Sequence, residues 1–317
     1  MTHAKSLRRC VLLPMDGTEE SLKPVPFLAR LYPKRDVVHI ILALIMPPVP
    51  PLYREKPTAP DEKRRRADFL RARKDSIRAA MKRAREILET AGFPSDHILE
   101  QVQEKETSMG KQACLLAHVR KVDAVVIPQR MSSRLEAFLR DDPTTDFLQH
   151  CLTSPVWLTE GRIDPATAVV CLQKGEAALR AVDHAAFMLS MAVTNRIVLL
   201  YVTTTLQDIV QSPVSPFSDP LNEWIARHEE GAMLEPILRR SVNMLRNAEI
   251  EDERIEIRIV PARGKVAEDI LRDCSRQGVG IVVVGHEEGD GFWKFLRDSV
   301  THNLLSEIKD TALWIVQ

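Results

Sequence analysis

Gly278-Val279-Gly280-Ile281-Val282-Val283-Val284-Gly285 sets four consecutive β-branched residues between glycines. Apolar residues fill both faces of the alternation, the pattern of a strand covered on both sides in a parallel sheet. Outward from it, residues 265–276 read as a helix that follows a strand at 255–260. On the other side a helix from about residue 297 leads to the strand Ala312-Leu313-Trp314-Ile315-Val316. Further upstream stand Ala168-Val169-Val170-Cys171-Leu172, a helix to about 190, a strand at 196–202, a Ser/Pro-rich loop at 203–220 and a long helix over 219–248. Strands and helices alternate throughout.

The first half of the chain shows the same map. Cys10-Val11-Leu12-Leu13, the run 37–44, a strand at 98–102, Val122-Asp123-Ala124-Val125-Val126-Ile127 and Val156-Trp157-Leu158 are its strands. A Pro-rich loop at 46–60 precedes a charged helix over 60–91, ended by Gly92 and Pro94, and another helix covers 108–120. Each half therefore reads βαβαβαβαβ, which right-handed crossovers turn into a parallel sheet with helices on both faces. The expectation is an α/β protein of two tandem doubly wound parallel-sheet domains, 1–162 and 163–317. Glu160-Gly161-Arg162-Ile163-Asp164-Pro165 is a junction too short to let them wander. The last strand of each half, within 154–159 and 312–317, is an edge expected to pair between domains or between chains.

At 317 residues the chain has length for two cores, and its 44% hydrophobic content with 5% aromatics predicts aliphatic packing. Lys plus Arg and Asp plus Glu number 44 each, so no global field favours nucleic acid or an anionic membrane. The basic run Lys63-Arg64-Arg65-Arg66, continuing through Arg71 to Arg85, reads as a solvated helix face. No apolar stretch is long enough to span a bilayer, and the N-terminus lacks the apolar core of a signal peptide. Cys10, Cys114, Cys151, Cys171 and Cys274 lack the close spacing of a disulfide framework or a zinc site. Cys114 and Cys171 read as inert packing, and the set fits a reducing, cytoplasmic location. His286 has no His or Cys at ligand spacing, so no metal centre is expected. No nucleophile–base spacing is evident either, and the expectation is not an enzyme.

Leu12-Leu13-Pro14-Met15-Asp16-Gly17-Thr18-Glu19-Glu20-Ser21 resembles the first strand and turn of universal stress proteins. Gly278 to Gly285, followed by Asp298-Ser299-Val300-Thr301 and by Thr311 to Val316, is similar to that family's C-terminal signature. The resemblance runs over nearly the whole chain, once per half. It implies an adenine-nucleotide α-hydrolase-like fold and a role in stress response. Family members that keep Gly-x2-Gly-x9-Gly-Ser/Thr bind ATP, the glycines admitting phosphates to backbone N–H groups and the hydroxyl standing at a helix N-terminus.

This chain departs from that signature. Counting from Gly285, Glu288 and Asp298 occupy the positions of the later glycines; Gly289 stands one residue out of register, and Ser299 keeps the hydroxyl. Glu287, Glu288, Asp290 and Asp298 add like charge near any phosphate, at a cost on the order of 1 kcal/mol per close pair. In the first half Pro128-Gln129-Arg130-Met131 and Asp141-Asp142-Pro143 carry neither glycine nor hydroxyl, while Asp16 is kept there and replaced by Gln173 in the second half. The resemblance thus implies at most one weak site for ATP or AMP with Mg²⁺, in the second half. Its candidate contacts are Gly285, Gly289, Ser299, Val300 and Thr301, with Asp16 the candidate in the first half. Turn and cap chemistry is the alternative role for all of them. A scaffold of the same fold that binds protein partners and no cofactor stays open, and slow ATP hydrolysis is the weaker third reading.

Overall fold

The computed structural model describes residues 8–55, 59–129, 143–173, 175–204, 214–286 and 300–317. Ten strands form one sheet: β1 (Arg9–Met15), β2 (Val38–Met46), β3 (Ile98–Glu104), β4 (Ala124–Pro128), β5 (Val156–Thr159), β6 (Thr167–Leu172), β7 (Arg196–Thr203), β8 (Ile255–Pro261), β9 (Ile281–Gly285) and β10 (Ala312–Val316). Their order is β3-β2-β1-β4-β5-β10-β9-β6-β7-β8. Every strand-to-strand pairing is parallel except β5 with β10, which is antiparallel and sets Trp157 opposite Trp314. The doubly wound α/β expectation holds, and the two final strands do pair, within the chain. They are therefore consumed as edges. The sheet ends instead at β3 and β8, and β8 is partly covered by a two-hydrogen-bond bridge between Val214 and Ile257.

Register shows how regular the duplication is. Val11 pairs with Ala124 as Ala168 pairs with Ile281; Ile40 pairs with Ile98 as Ile197 with Ile255; Val126 pairs with Trp157 as Val283 with Trp314. Each strand residue of the first half matches the one 157 positions later, with no net insertion between any two strands.

One helical layer holds α1 (Val25–Leu31), α3 (Pro60–Thr90), α6 (Glu176–Leu189), α7 (Asp219–Arg227) and α8 (Glu229–Asn247). The other holds α4 (Met109–Arg120), α5 (Pro143–His150), α9 (Val266–Gln277) and α10 (Val300–Glu307). A single turn, α2 (Pro51–Arg54), lies in the Pro-rich loop. Each layer builds a core that runs through both halves: Val11, Leu13, Trp157 and Trp314 face the first, Leu12, Val125 and Leu313 the second. The stacked tryptophans, centroids 3.8 Å apart and parallel, are fully buried where the halves join. Around them Arg9 donates to the Phe187 carbonyl at 2.7 Å and to Ser190 Oγ at 2.7 Å, and Tyr32 Oη donates to the Met188 carbonyl at 3.2 Å.

Two expectations need correction, and one helix is shorter than its segment allows. The long helix over 219–248 is two helices broken at His228, whose backbone is extended (φ −122°, ψ 131°). The break lets α8 fold back on α7 so closely that a Cβ on Gly231 would lie 2.7 Å from Ile225 Cα. The helix after β1 is cut to the seven residues of α1, because Pro24 and Pro26 lack the N–H groups that an earlier start would use. Finally, Cys114 and Cys151 form a disulfide across α4 and the end of α5, with Cα atoms 4.9 Å apart. Their separation of 37 residues hides in sequence an adjacency that exists only in space. Cys114 is not inert packing, and the reducing location loses the support drawn from unpaired cysteines. Cys171 does stay a buried thiol, its pKa pushed up to about 12 chiefly by burial. No helix among the described residues is long and apolar enough to cross a membrane.

Candidate functional site

In an open α/β sheet, ligands bind beyond the C-terminal ends of strands where the strand order reverses. This sheet has two such points. From β1 the chain moves outward through β2 and β3, then returns to β4 and β5; from β6 it moves through β7 and β8, then returns to β9 and β10. The crevices at β1/β4 and β6/β9 are therefore the candidate sites, and Asp16 and Gly285 stand at their rims.

At β1/β4, Asp16 closes a tight turn. Its Oδ1 accepts from the Thr18 N–H at 2.9 Å, from Thr18 Oγ1 at 2.6 Å and from Ser21 Oγ at 2.7 Å. Gly17 supplies the positive φ of 90° that the turn requires. This is the turn chemistry the sequence allowed for Asp16. Across the crevice Gln129, just past β4, donates to the Leu305 carbonyl of α10 at 2.7 Å, which ties the first crevice to the second half.

At β6/β9, Gln173 takes the place of Asp16, and its amide donates to the Gly285 carbonyl at 3.2 Å, bridging the two strand ends. Gly175, at φ 105°, turns the chain into α6, whose first turn lies directly over β9. A Cβ on Gly285 would sit 2.0 Å from the Ala177 carbonyl oxygen, so helix packing alone demands this glycine. Arg180 then clamps the strand ends, donating to the Gln317 and His286 carbonyls at 2.8 Å each. Gln173 and Arg180 together lock the strand ends, a role the sequence reading does not assign to either. The signal available was the match of Arg180, one turn into α6, to Lys23, a long cation just ahead of α1.

Of the remaining site residues, Val300 is half-buried and Thr301 buried in the first turn of α10. Gly289 and Ser299 lie outside the described residues. Asp16 is not brought together with Gly285, Val300 and Thr301, since β4, β5 and β10 stand between β1 and β9. Among the described residues no group of three or more His, Cys, Asp or Glu side chains is arranged to hold a metal ion.

Solved structures with this arrangement include a universal stress protein from Archaeoglobus fulgidus DSM 4304, with a TM-score of 0.62 at 12% identity over 97% of this chain and 96% of that one. The chain has the universal-stress-protein fold. A functionally unknown protein from Pseudomonas aeruginosa PAO1 shares that fold over 99% of this chain and 94% of its own, with a TM-score of 0.53 and 12% identity. No sequence-family profile matches the chain, and no curated protein matches it. Both full-length neighbours cover the two halves together, so the tandem universal-stress-protein arrangement is itself the shared feature.

Proposed function

We propose that this chain is a non-catalytic, stress-response regulatory protein with two units, 1–162 and 163–317, and at most one weak adenine-nucleotide site, in the second. The observation that carries the reading is the inequality of the two switch points. Only the second ends its inner strand in glycine, at Gly285, and only there does a hydroxyl, Ser299, stand immediately before the helix, where the first half has Asp142. Backbone N–H groups and that hydroxyl would take the phosphates, and Val300 and Thr301 extend the same helix start. Mg²⁺ would accompany ATP on its phosphates, with no protein cluster dedicated to it. The cytoplasm is the compartment this reading assumes.

A second reading is favoured by one contact. The Gln173–Gly285 bridge fills the position where family members place an aspartate, which supports a scaffold that binds protein partners without nucleotide. Calorimetric titration of nucleotide-stripped protein with Mg²⁺–ATP, ATP and AMP separates the two. Saturable heat that disappears in Ser299→Ala and persists in Asp16→Ala supports the first reading. Loss in Asp16→Ala alone overturns the placement, and no heat with any nucleotide leaves the scaffold.

A further inference from the structure

A cleft of about 100 Å³ opens between the edge strand β8 and helix α9, away from both switch points. Four arginines line it: Arg258 from β8, Arg263 from the connecting loop, and Arg272 and Arg276 from α9. Two of them are neutralised in place. Arg258 donates to Asp273 Oδ1 at 2.6 Å inside the cleft, and Arg272 pairs with Asp269, which also accepts the Arg263 N–H at 2.9 Å. The guanidinium groups of Arg263 and Arg276 are exposed and have no hydrogen bond or ion pair among the described residues. The cleft thus keeps two positive charges beyond its internal pairs.

Its buried floor is unsatisfied in a particular way. Arg258 and Asp273 are each 7% exposed. Arg258 Nε, a donor, and Asp273 Oδ2, an acceptor, both lack partners. Orphaned groups at such depth are costly, and a ligand or water normally meets them. One donor and one acceptor left over from the same ion pair, in a cleft that Arg263 and Arg276 also line, call for a small dianion that still carries one O–H.

We propose that this cleft is a binding site for inorganic phosphate in its hydrogenphosphate form. Its three acceptor oxygens serve Arg263, Arg276 and Arg258 Nε, and its O–H donates to Asp273 Oδ2. The two orphaned atoms are shielded from solvent, so binding turns the Arg258–Asp273 pair toward the anion while the exposed arginines close over it. Sulfate matches the charge and shape and lacks the O–H, and a phosphomonoester dianion lacks it too. The first half supports the assignment by contrast. Its residues at these places are Gln101, Glu106, Leu115 and Val119, with Leu116 for Asp273, so the cluster is no by-product of the fold.

Calorimetry on the full-length protein with inorganic phosphate, sulfate and AMP provides the test. One phosphate per chain is expected, bound about tenfold or more tighter than sulfate, the difference of one charged hydrogen bond. Arg263→Gln/Arg276→Gln, which alters only exposed side chains, should weaken phosphate about a hundredfold. Ser299→Ala should leave it unchanged, which separates this site from the nucleotide site. Absent phosphate binding, an unaffected double variant, or sulfate binding as tightly as phosphate would each overturn the proposal. So would AMP competing for the site at equal affinity.

Discussion

Phe27 and His184 occupy the same place in the two halves, 157 residues apart, each against the central tryptophans. Phe27 meets Trp157 edge-on at 6.5 Å and contributes only apolar surface. His184 accepts the Trp157 indole N–H at 3.0 Å, while the Trp314 indole nitrogen is buried without a partner. One position in a duplicated fold has thus become a polar anchor in one half and stayed hydrocarbon in the other. The same divergence recurs elsewhere: the Cys114–Cys151 disulfide stands where the second half has Leu271 and Ile308, and Pro128 stands where it has Gly285. The backbone frame tolerates this because the β5–β10 join and the two continuous cores hold it.

The largest effect expected from this asymmetry is a pH dependence. Full burial drives His184 down to about pKa 3 in the folded protein, against an ordinary value of 6.5. The unfolded chain therefore takes up the proton first. The stability contributed by neutral His184 is complete above about pH 6.5 and falls as pH drops toward 3, by on the order of 1 kcal/mol per unit. His184→Phe, which copies the first half, should flatten that part of the profile in denaturant titrations. An unchanged slope would mean His184 does not set it.

Next in size is the disulfide. Reduction, or Cys114→Ala/Cys151→Ala, opens a loop of 37 residues and should cost about 4 kcal/mol by loop entropy. Introducing cysteines at Leu271 and Ile308 tests whether the second half shares the geometry; the mirrored bond should form and raise the melting temperature. Smaller again is Gly285→Ala, expected to cost about 1–3 kcal/mol as Ala177 is pushed off the strand end. Pro128→Ala, at the matching position, should cost less than about 1 kcal/mol.

The smallest contrast is at the ends of α4 and α9, which both stop in left-handed backbone. Lys121 adopts it at φ 53° and Gly278 at φ 61°. Lys121→Gly should stabilise by about 0.5–1 kcal/mol, and Gly278→Ala should destabilise by a similar amount. Equal and negligible shifts at both positions would break the match of the two caps.

The inner strands were legible because they are short aliphatic runs buried on both faces, and Val122–Ile127 and Ile281–Val284 repeat that signal at equivalent places; the edge strand β3 is largely exposed and carries less of it. The join was legible too, since β5 and β10 are the last strands of the two halves and a last strand needs a neighbour. What escaped depends on space rather than spacing. Cys114 and Cys151 meet only after α5 packs on α4, so closely that a Cβ on Gly110 would lie 2.5 Å from the Asp146 backbone. The break at His228 answers to the packing of α7 on α8 and leaves no Gly or Pro at the break itself. The arginine cleft leaves no run in the sequence because its residues are dispersed over β8, a loop and α9, while the later cations of the conspicuous basic run on α3, Arg73, Arg83 and Arg85 among them, form surface ion pairs such as Arg85 with Glu100. Gly285 was read for phosphate approach; its position also has a packing reason that only the Ala177 carbonyl reveals.

The claim that the halves have diverged in ligand capacity is tested most directly by counting bound nucleotides per chain with native mass spectrometry, across rising Mg²⁺–ATP, for wild type and Ser299→Ala. At most one nucleotide per chain is expected, present only at high concentration and absent from Ser299→Ala. Two nucleotides per chain, or one that survives Ser299→Ala and vanishes in Asp16→Ala, would contradict it.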